Sequence, residues 1–296
     1  MSNLKKCAVL TMDCLDDFEA YDHLLDQPLK TLGWQTELVS WRKDGVCWDN
    51  YDVVLIRTPW DYQEDATLFL NVLQQIEDST AILENNIDIV RWNINKNYLQ
   101  ELQSSGVTIV PTLFLTQFNS ADVAGYFEHF NVDQIVLKPN VSANADNTFW
   151  LTKQNYKDFT TELSKAFERR EFMAQPFIES VITEGEFSCF YFDGVYSHSI
   201  LKTPKNGDFR VQEEHGGRLT LIEPESKLKQ QASHAIKQLN EIPMYARVDF
   251  VRLGDEFAMM EAELIEPSLY FNMDENAAPL FARLFAKRMA EKHNIK

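Results

Sequence analysis

The chain has 296 residues with 45% hydrophobic and 25% charged side chains, ordinary for a globular protein and enough for about two or three compact units with a substantial core. Its 28 basic and 45 acidic residues give a formal charge of −17, which argues against sequence-independent binding to nucleic acid or anionic lipid. Any anionic substrate must be held by locally clustered cations. Four cysteines, at 7, 14, 47 and 189, have neither metal-ligand spacing nor disulfide-scaffold density, so reduced, mostly buried thiols are expected.

In chain order, the apolar run from Cys7 to Met12 reads as a strand. Asp13, Asp16 and Asp17 follow too soon for a signal-peptide core or a membrane span, which implies a cytoplasmic protein with no membrane partner. Helical spacing from Phe18 to Leu32 and strands at Thr36 to Ser40 and Val53 to Arg57 predict a small open parallel sheet. Ligands of such sheets bind beyond the carboxyl ends of the strands. Arg57, in Arg57-Thr58-Pro59-Trp60-Asp61-Tyr62, is therefore a candidate substrate contact; the alternative is a Pro-bearing turn with aromatic packing. Asp65 to Ile76 reads as a helix.

From about Val90 the texture changes. A helix is expected from Arg91 to about Ser104, then strands at Pro111 to Leu115 and Gln134 to Pro139 flanking a helix from Asp122 to Phe130. Residues 140–148 are small and polar, suited to cover phosphate oxygens with backbone N–H groups beside Lys138, although they contain no glycine. Neither a Walker-type P-loop nor a G-x-G-x-x-G run occurs. After a helix from Glu162 to Arg170 and a strand from Phe172 to Ile178, Asp193-Gly194 marks a hairpin between Thr183 to Phe192 and Tyr196 to Lys202. The segment 203–217, with Lys205, Arg210, His215 and Gly216-Gly217 after Lys202, could gather cations around a polyphosphate or form a mobile surface loop. The six histidines are scattered, and His198 and His215 read as structural more readily than catalytic.

Tyr245 to Tyr270 is the most informative stretch. Gly254-Asp255 joins two strands, and in the second the period of two aims Glu261 and Glu263 at one face. Asp249 reaches that face only if the hairpin register sums to an even number, which requires an odd loop or a bulge. Three acids on one surface need a hard divalent ion, raised pKa values or separation by water, and oxygen-only ligands favour magnesium. The alternative is the solvated face of an edge strand.

The order of these parts resembles the ATP-grasp superfamily of carboxylate-amine ligases. A lysine-ended strand with a small-residue loop, a Gln175-Pro176-Phe177-Ile178 strand, Gly-Glu-x-Ser, cations before Gly-Gly, then Arg-x-Asp and Glu-x-Glu carry the resemblance, over roughly residues 91 to 272. The segments 57–62 and 263–270 look like the branch related to glutathione synthetase and the ribosomal S6 modification ligases, which includes the ligase that closes the D-cycloserine ring. The resemblance implies an α/β chain, α+β in its catalytic part, with a Rossmann-like open-sheet unit over residues 1–90, a central lid subdomain over 91–178 and a catalytic subdomain over 179–296.

It also implies roles. Lys96 and Lys138 would bind nucleotide, Gln175, Pro176, Phe177 and Ile178 would meet the adenine edge, and Glu186 the ribose. Lys202 would touch the β- or γ-phosphate, Arg210 the acceptor carboxylate or transferred phosphoryl group, and Arg247 would neutralise charge there. Asp249, Glu261 and Glu263 match the magnesium ligands, with asparagine common in the family where Glu263 stands, and Arg57 and Ser268 would meet substrate. The implied activity is ATP-dependent joining of a small carboxylate and an amine through an acylphosphate, releasing ADP and phosphate, with two magnesium ions. Relatives of this kind leave a homodimer or tetramer open. A kinase that stops at phosphoryl transfer and a nucleotide-binding regulatory protein without turnover are the competing readings.

Overall fold

Apolar strands alternating with short helices fold the N-terminal third into an open parallel sheet. In the computed structural model, which describes residues 4–16, 18–142 and 146–293, β1 (Lys5–Thr11), α1 (Asp26–Thr31), β2 (Trp34–Ser40), β3 (Val53–Thr58), α2 (Ala66–Glu77) and β4 (Ile82–Glu84) follow in turn. The strands pair in parallel in the order β2-β1-β3-β4. β3 is buried along its whole length, as an apolar central parallel strand should be. The helix expected over 18–32 is shorter. A 3-10 turn at Tyr21–Leu25 precedes α1, and Pro28 falls in the first turn, where its missing N–H costs nothing.

α3 (Ile87–Asn93) and α4 (Tyr98–Ser104) replace the single helix expected from Arg91. The break has a local cause: the Asn95 side chain accepts the Asn97 N–H at 3.0 Å, so an asparagine carboxamide competes with the helical ladder. This turn frees Lys96 from a helix surface, and its N–H bonds the Asn140 carbonyl at 2.8 Å.

β5 (Leu113–Leu115), α5 (Val123–Phe130), β6 (Gln134–Pro139), β7 (Phe149–Thr152), α6 (Thr160–Phe167) and β8 (Phe172–Pro176) form a second, antiparallel sheet in the order β5-β8-β6-β7. Both helices pack on it around Phe127, Leu163 and Phe167.

A third sheet comprises β9 (Glu186–Phe192), β10 (Val195–Thr203), β11 (Arg218–Ile222), β12 (Tyr245–Leu253) and β13 (Glu256–Glu263), all antiparallel in the order β11-β10-β9-β12-β13. The Ser226–Lys237 helix and α4 cover one face, burying Phe187, Cys189, Val248, Phe250 and Met259. On the other face, Phe190, Phe192 and Ile200 meet Phe281 and Phe285 of the C-terminal helix Ala277–His293 and Cys7, Val53 and Leu55 of the first sheet. The rest of that face carries charge.

β13 is the edge strand, yet it is not a solvated one. Met259 exchanges backbone bonds with Thr108 and Val110 at 2.9 and 3.0 Å. The Tyr98 hydroxyl accepts the Ala262 N–H and donates to its carbonyl, and Asn93 bonds both the Ala262 carbonyl and the Leu264 N–H. A sealed edge cannot template pairing with another chain. Cys7 and Cys189 are buried, whereas Cys14 and Cys47 are exposed, so only half of the thiols follow the expected burial. Among the described residues no helix is long and apolar enough to cross a membrane.

Candidate active site

The charged face of the third sheet begins with a pairing irregularity. From the Gly254-Asp255 turn the pairs run Leu253 with Glu256 down to Phe250 with Met259, and then Asp249 pairs with Glu261 and Arg247 with Glu263. Met260 is left out as a bulge. The extra residue supplies the parity that brings Asp249, Glu261 and Glu263 to one face. β9 places Ser188 beside Asp249, and β10 places Lys202 opposite Glu186.

These groups form one ionic network. Lys202 Nζ lies 2.5 Å from Glu186 and 3.4 Å from Asp249, Arg247 Nε lies 3.1 Å from Asp249 while its Nη2 pairs with Glu263, and Lys96 Nζ lies 2.9 Å from Glu261. Ser188 donates to Asp249. Burial opposes the charge on Lys202, but Asp249 and Glu186 outweigh it and push its pKa up. Burial likewise opposes ionisation of Asp249, and Arg247 and Lys202 reverse this and hold its carboxyl low. Glu263 is different. Burial pushes it up to about 7, with Glu261 and Asp249 adding like-charge repulsion against the help of Arg247.

The network lines a cavity of about 190 Å³. Lys138, Gln175, Pro176, Phe177, Ile178 and Glu186 line one end with Val136 and Met260. Burial lowers the pKa of Lys138, which Glu261 partly offsets, so this ammonium gains from an incoming anion. Lys96 reaches the Ser142 carbonyl at 2.8 Å at the start of the small-residue loop. Residues 143–145 of that loop lie outside the described residues. Phe177 stacks on Trp150 with centroids 4.5 Å apart, and Phe209 meets both rings edge-on, tying the 203–217 segment to the second sheet. Asp208 holds Arg210 through Nε and Nη2, the latter at 2.7 Å.

The cavity's other end is walled by Trp60, Tyr62, Glu266, Ser268 and Tyr270, with Arg210 and Gln212 on its rim. Arg57 is not in it. Its side chain is fully buried, bonded to Asp22 at 2.9 Å and the Pro267 carbonyl at 2.8 Å and set over the Tyr245 ring. Contrary to the expected direct substrate contact, it braces the loop carrying Ser268. His198 is buried against Phe190 with ring centroids 4.3 Å apart, and burial lowers it to about 4, a neutral packing residue. Tyr62, Gln212 and Glu266 line the cavity without having been given a role from the sequence; none lies in a spacing that marks chemistry.

Comparison with known proteins accords with this geometry. A family model described as the N-terminal domain of the D-cycloserine synthetase DcsG matches residues 7–85. The cycloserine biosynthesis protein DcsG of Streptomyces lavendulae is 27% identical over 274 residues, 88% of this chain and 91% of that protein. The crystal structure of D-cycloserine synthetase DcsG superposes with a TM-score of 0.84 at 25% identity, covering 96% of this chain and 99% of that one. The chain shares the fold of the ATP-grasp carboxylate-amine ligases and is similar along most of its length to the D-cycloserine synthetase among them. The D-alanine–D-alanine ligase of Bacillus anthracis shares the fold at 14% identity, with a TM-score of 0.67 over 98% of this chain and 99% of that one.

The ligase's donor set suits a hard divalent cation. Among the described residues no three acidic, histidine or cysteine side chains converge on one point, because Lys96, Lys202 and Arg247 each engage one or more of the carboxylates. The elevated Glu263 nevertheless marks a surplus of negative charge, which oxygen-coordinated magnesium would relieve.

Proposed function

We propose that the ligase binds ATP between the second and third sheets and activates a small amino-acid-like carboxylate for amide formation. What supports this most is the meeting, on one cavity, of the Asp249, Glu261 and Glu263 face with the wall formed by Lys138 and Gln175 to Ile178. Phe177 and Ile178 offer an apolar slot for a purine, the Glu186 carboxylate accepts ribose hydroxyls, and Lys138 and Lys96 receive phosphate oxygens, the latter as its Glu261 and Ser142 contacts give way. Asp249, Glu261 and Glu263 would hold magnesium, two ions in this reading, which when bound screens the β- and γ-phosphates.

Lys202 and Arg247 balance charge on the γ-phosphoryl group while the substrate carboxylate attacks phosphorus and the bond to the ADP oxygen breaks. Arg210 exchanges Asp208 for an anionic substrate group. The acylphosphate is then attacked at carbon by an amine, and phosphate leaves. The Trp150, Phe177 and Phe209 cluster keeps the 203–217 segment over the cavity, excluding the water that would hydrolyse the intermediate. No protein nucleophile is required.

Calorimetric titration of ATP with magnesium into the wild type and Glu261→Gln tests this. Micromolar binding that weakens in the variant is expected; absence of binding to both proteins rejects the reading. A kinase would transfer phosphate without needing an amine, so amine-dependent phosphate release separates the two.

A further inference from the structure

The ligase reading accounts for the nucleotide end of the cavity and leaves a carboxylate at the other end without a role. Glu266 lines that end with Trp60 and Tyr62 from the segment after β3. It differs from the acids beside it. Asp249, Glu261 and Glu263 each have a lysine or arginine nitrogen within 4 Å, whereas among the described residues none stands so close to the Glu266 carboxylate.

Glu266 is nonetheless held in place. The Trp60 indole N–H donates to its backbone carbonyl at 2.8 Å, and Tyr62 lines the same part of the cavity. Trp60 therefore anchors the backbone of an acid that lines the cavity beside two aromatic side chains. Gln212, on the same cavity, has a buried side-chain oxygen with no donor among the described residues. Both positions call for a ligand that brings N–H donors, and the adjoining aromatic side chains favour a cation.

We propose that Glu266, flanked by Trp60 and Tyr62, binds the ammonium group of an aminocarboxylate substrate. This rests on the ligase reading and adds the residue that selects amino acids over their uncharged analogues. Burial, with Glu263 nearby, pushes the Glu266 carboxyl up to about 8. A bound ammonium supplies the missing counter-charge and draws the proton off.

The test uses the full chain as wild type, Glu266→Gln and Tyr62→Phe. Calorimetry with ADP and magnesium should show nucleotide binding in all three, because Glu266 has no direct bond to the residues assigned to nucleotide or magnesium. No nucleotide binding in any of them would remove the ligase reading and this proposal with it. Hydroxylamine trapping of the activated carboxylate then compares D- and L-alanine and D- and L-serine with lactate, glycerate and propionate. Hydroxamate should form with an amino acid and at least about tenfold less efficiently with its desamino counterparts. Glu266→Gln should raise the amino-acid KM about tenfold or more with kcat within about threefold, and Tyr62→Phe should raise it less. If Glu266→Gln fails to fold, Tyr62→Phe carries the comparison. Nucleotide binding with equal use of amino and hydroxy acids, an unchanged KM in the folded variants, or no response to any aminocarboxylate would overturn the proposal while leaving the nucleotide site intact.

Discussion

Asp249 faces Glu261 across the β12–β13 hairpin because Met260 drops out of the pairing between them. The bulge sets the parity of the acidic face, and Asp249 then takes Ser188, Lys202 and Arg247 as partners. Asp249→Asn keeps the shape and removes the charge that those two cations share. Turnover should fall on the order of a thousandfold, as when a preorganised electrostatic contact is lost. Stability should also drop, because two buried cations lose a counter-ion. Steady-state phosphate release and a urea titration measure both, and wild-type turnover in the variant would exclude Asp249 from the reaction.

Glu266 gives the apo protein a signed pH dependence. Its carboxyl rises from an ordinary 4.5 to about 8, chiefly by burial. The folded state therefore prefers the protonated form. Its contribution is full below pH 4.5 and is lost progressively as pH rises to about 8. Glu263 acts in the same direction and Asp249 in the opposite one, so the informative quantity is the difference in Tm between wild type and Glu266→Gln. Wild type should lose ground to the variant across that window; a difference independent of pH would contradict the shift.

Asn85 fastens the first sheet to the third. Its Nδ2 donates to the Tyr245 and Leu264 carbonyls at 3.0 and 2.7 Å, and its Oδ1 accepts the Met244 N–H at 2.6 Å. Asn85→Ala leaves three buried backbone groups unpaired and should destabilise the protein by about 3 kcal/mol or more. Chemical denaturation would show this as a lower midpoint.

Gly217 has no room for a side chain. A Cβ there would lie 2.0 Å from the Val211 carbonyl oxygen, which belongs to the segment carrying Arg210. Gly217→Ala should force that segment to move and lower kcat/KM by about tenfold or more, since positioning errors of this kind are costly. Tm should fall as well, because Val211 is buried with Val110, Val181 and Val251; activity equal to wild type would separate Arg210 placement from catalysis.

Part of this organisation can be read from residues alone, for reasons of periodicity. The face shared by Glu261 and Glu263 follows from a strand period of two, and the need for a bulge follows from the position of Asp249. Which residue bulges does not follow, since Met260 is one apolar residue in an apolar run. The helix break at Lys96 was not legible, because it depends on a carboxamide competing for one N–H and on Asn140, 44 positions away in the sequence. Arg57 was placed at the correct strand end but on the wrong side of the loop. Its burial is decided by Asp22, Tyr245 and Pro267, which no local pattern connects to it. Glu266 could be seen in the sequence, but the lack of a cation beside it is a property of three-dimensional packing.

The two ends of the cavity draw on different parts of the chain. The wall proposed for the nucleotide comes mainly from the second and third sheets, whereas Trp60 and Tyr62 are offered by a short turn at the tip of β3. In evolutionary terms, and on the proposed division of the cavity, drift within that turn can change what is joined while the phosphoryl machinery stays untouched. A lineage could thus acquire new products by altering a handful of codons, with the costly electrostatic core inherited whole.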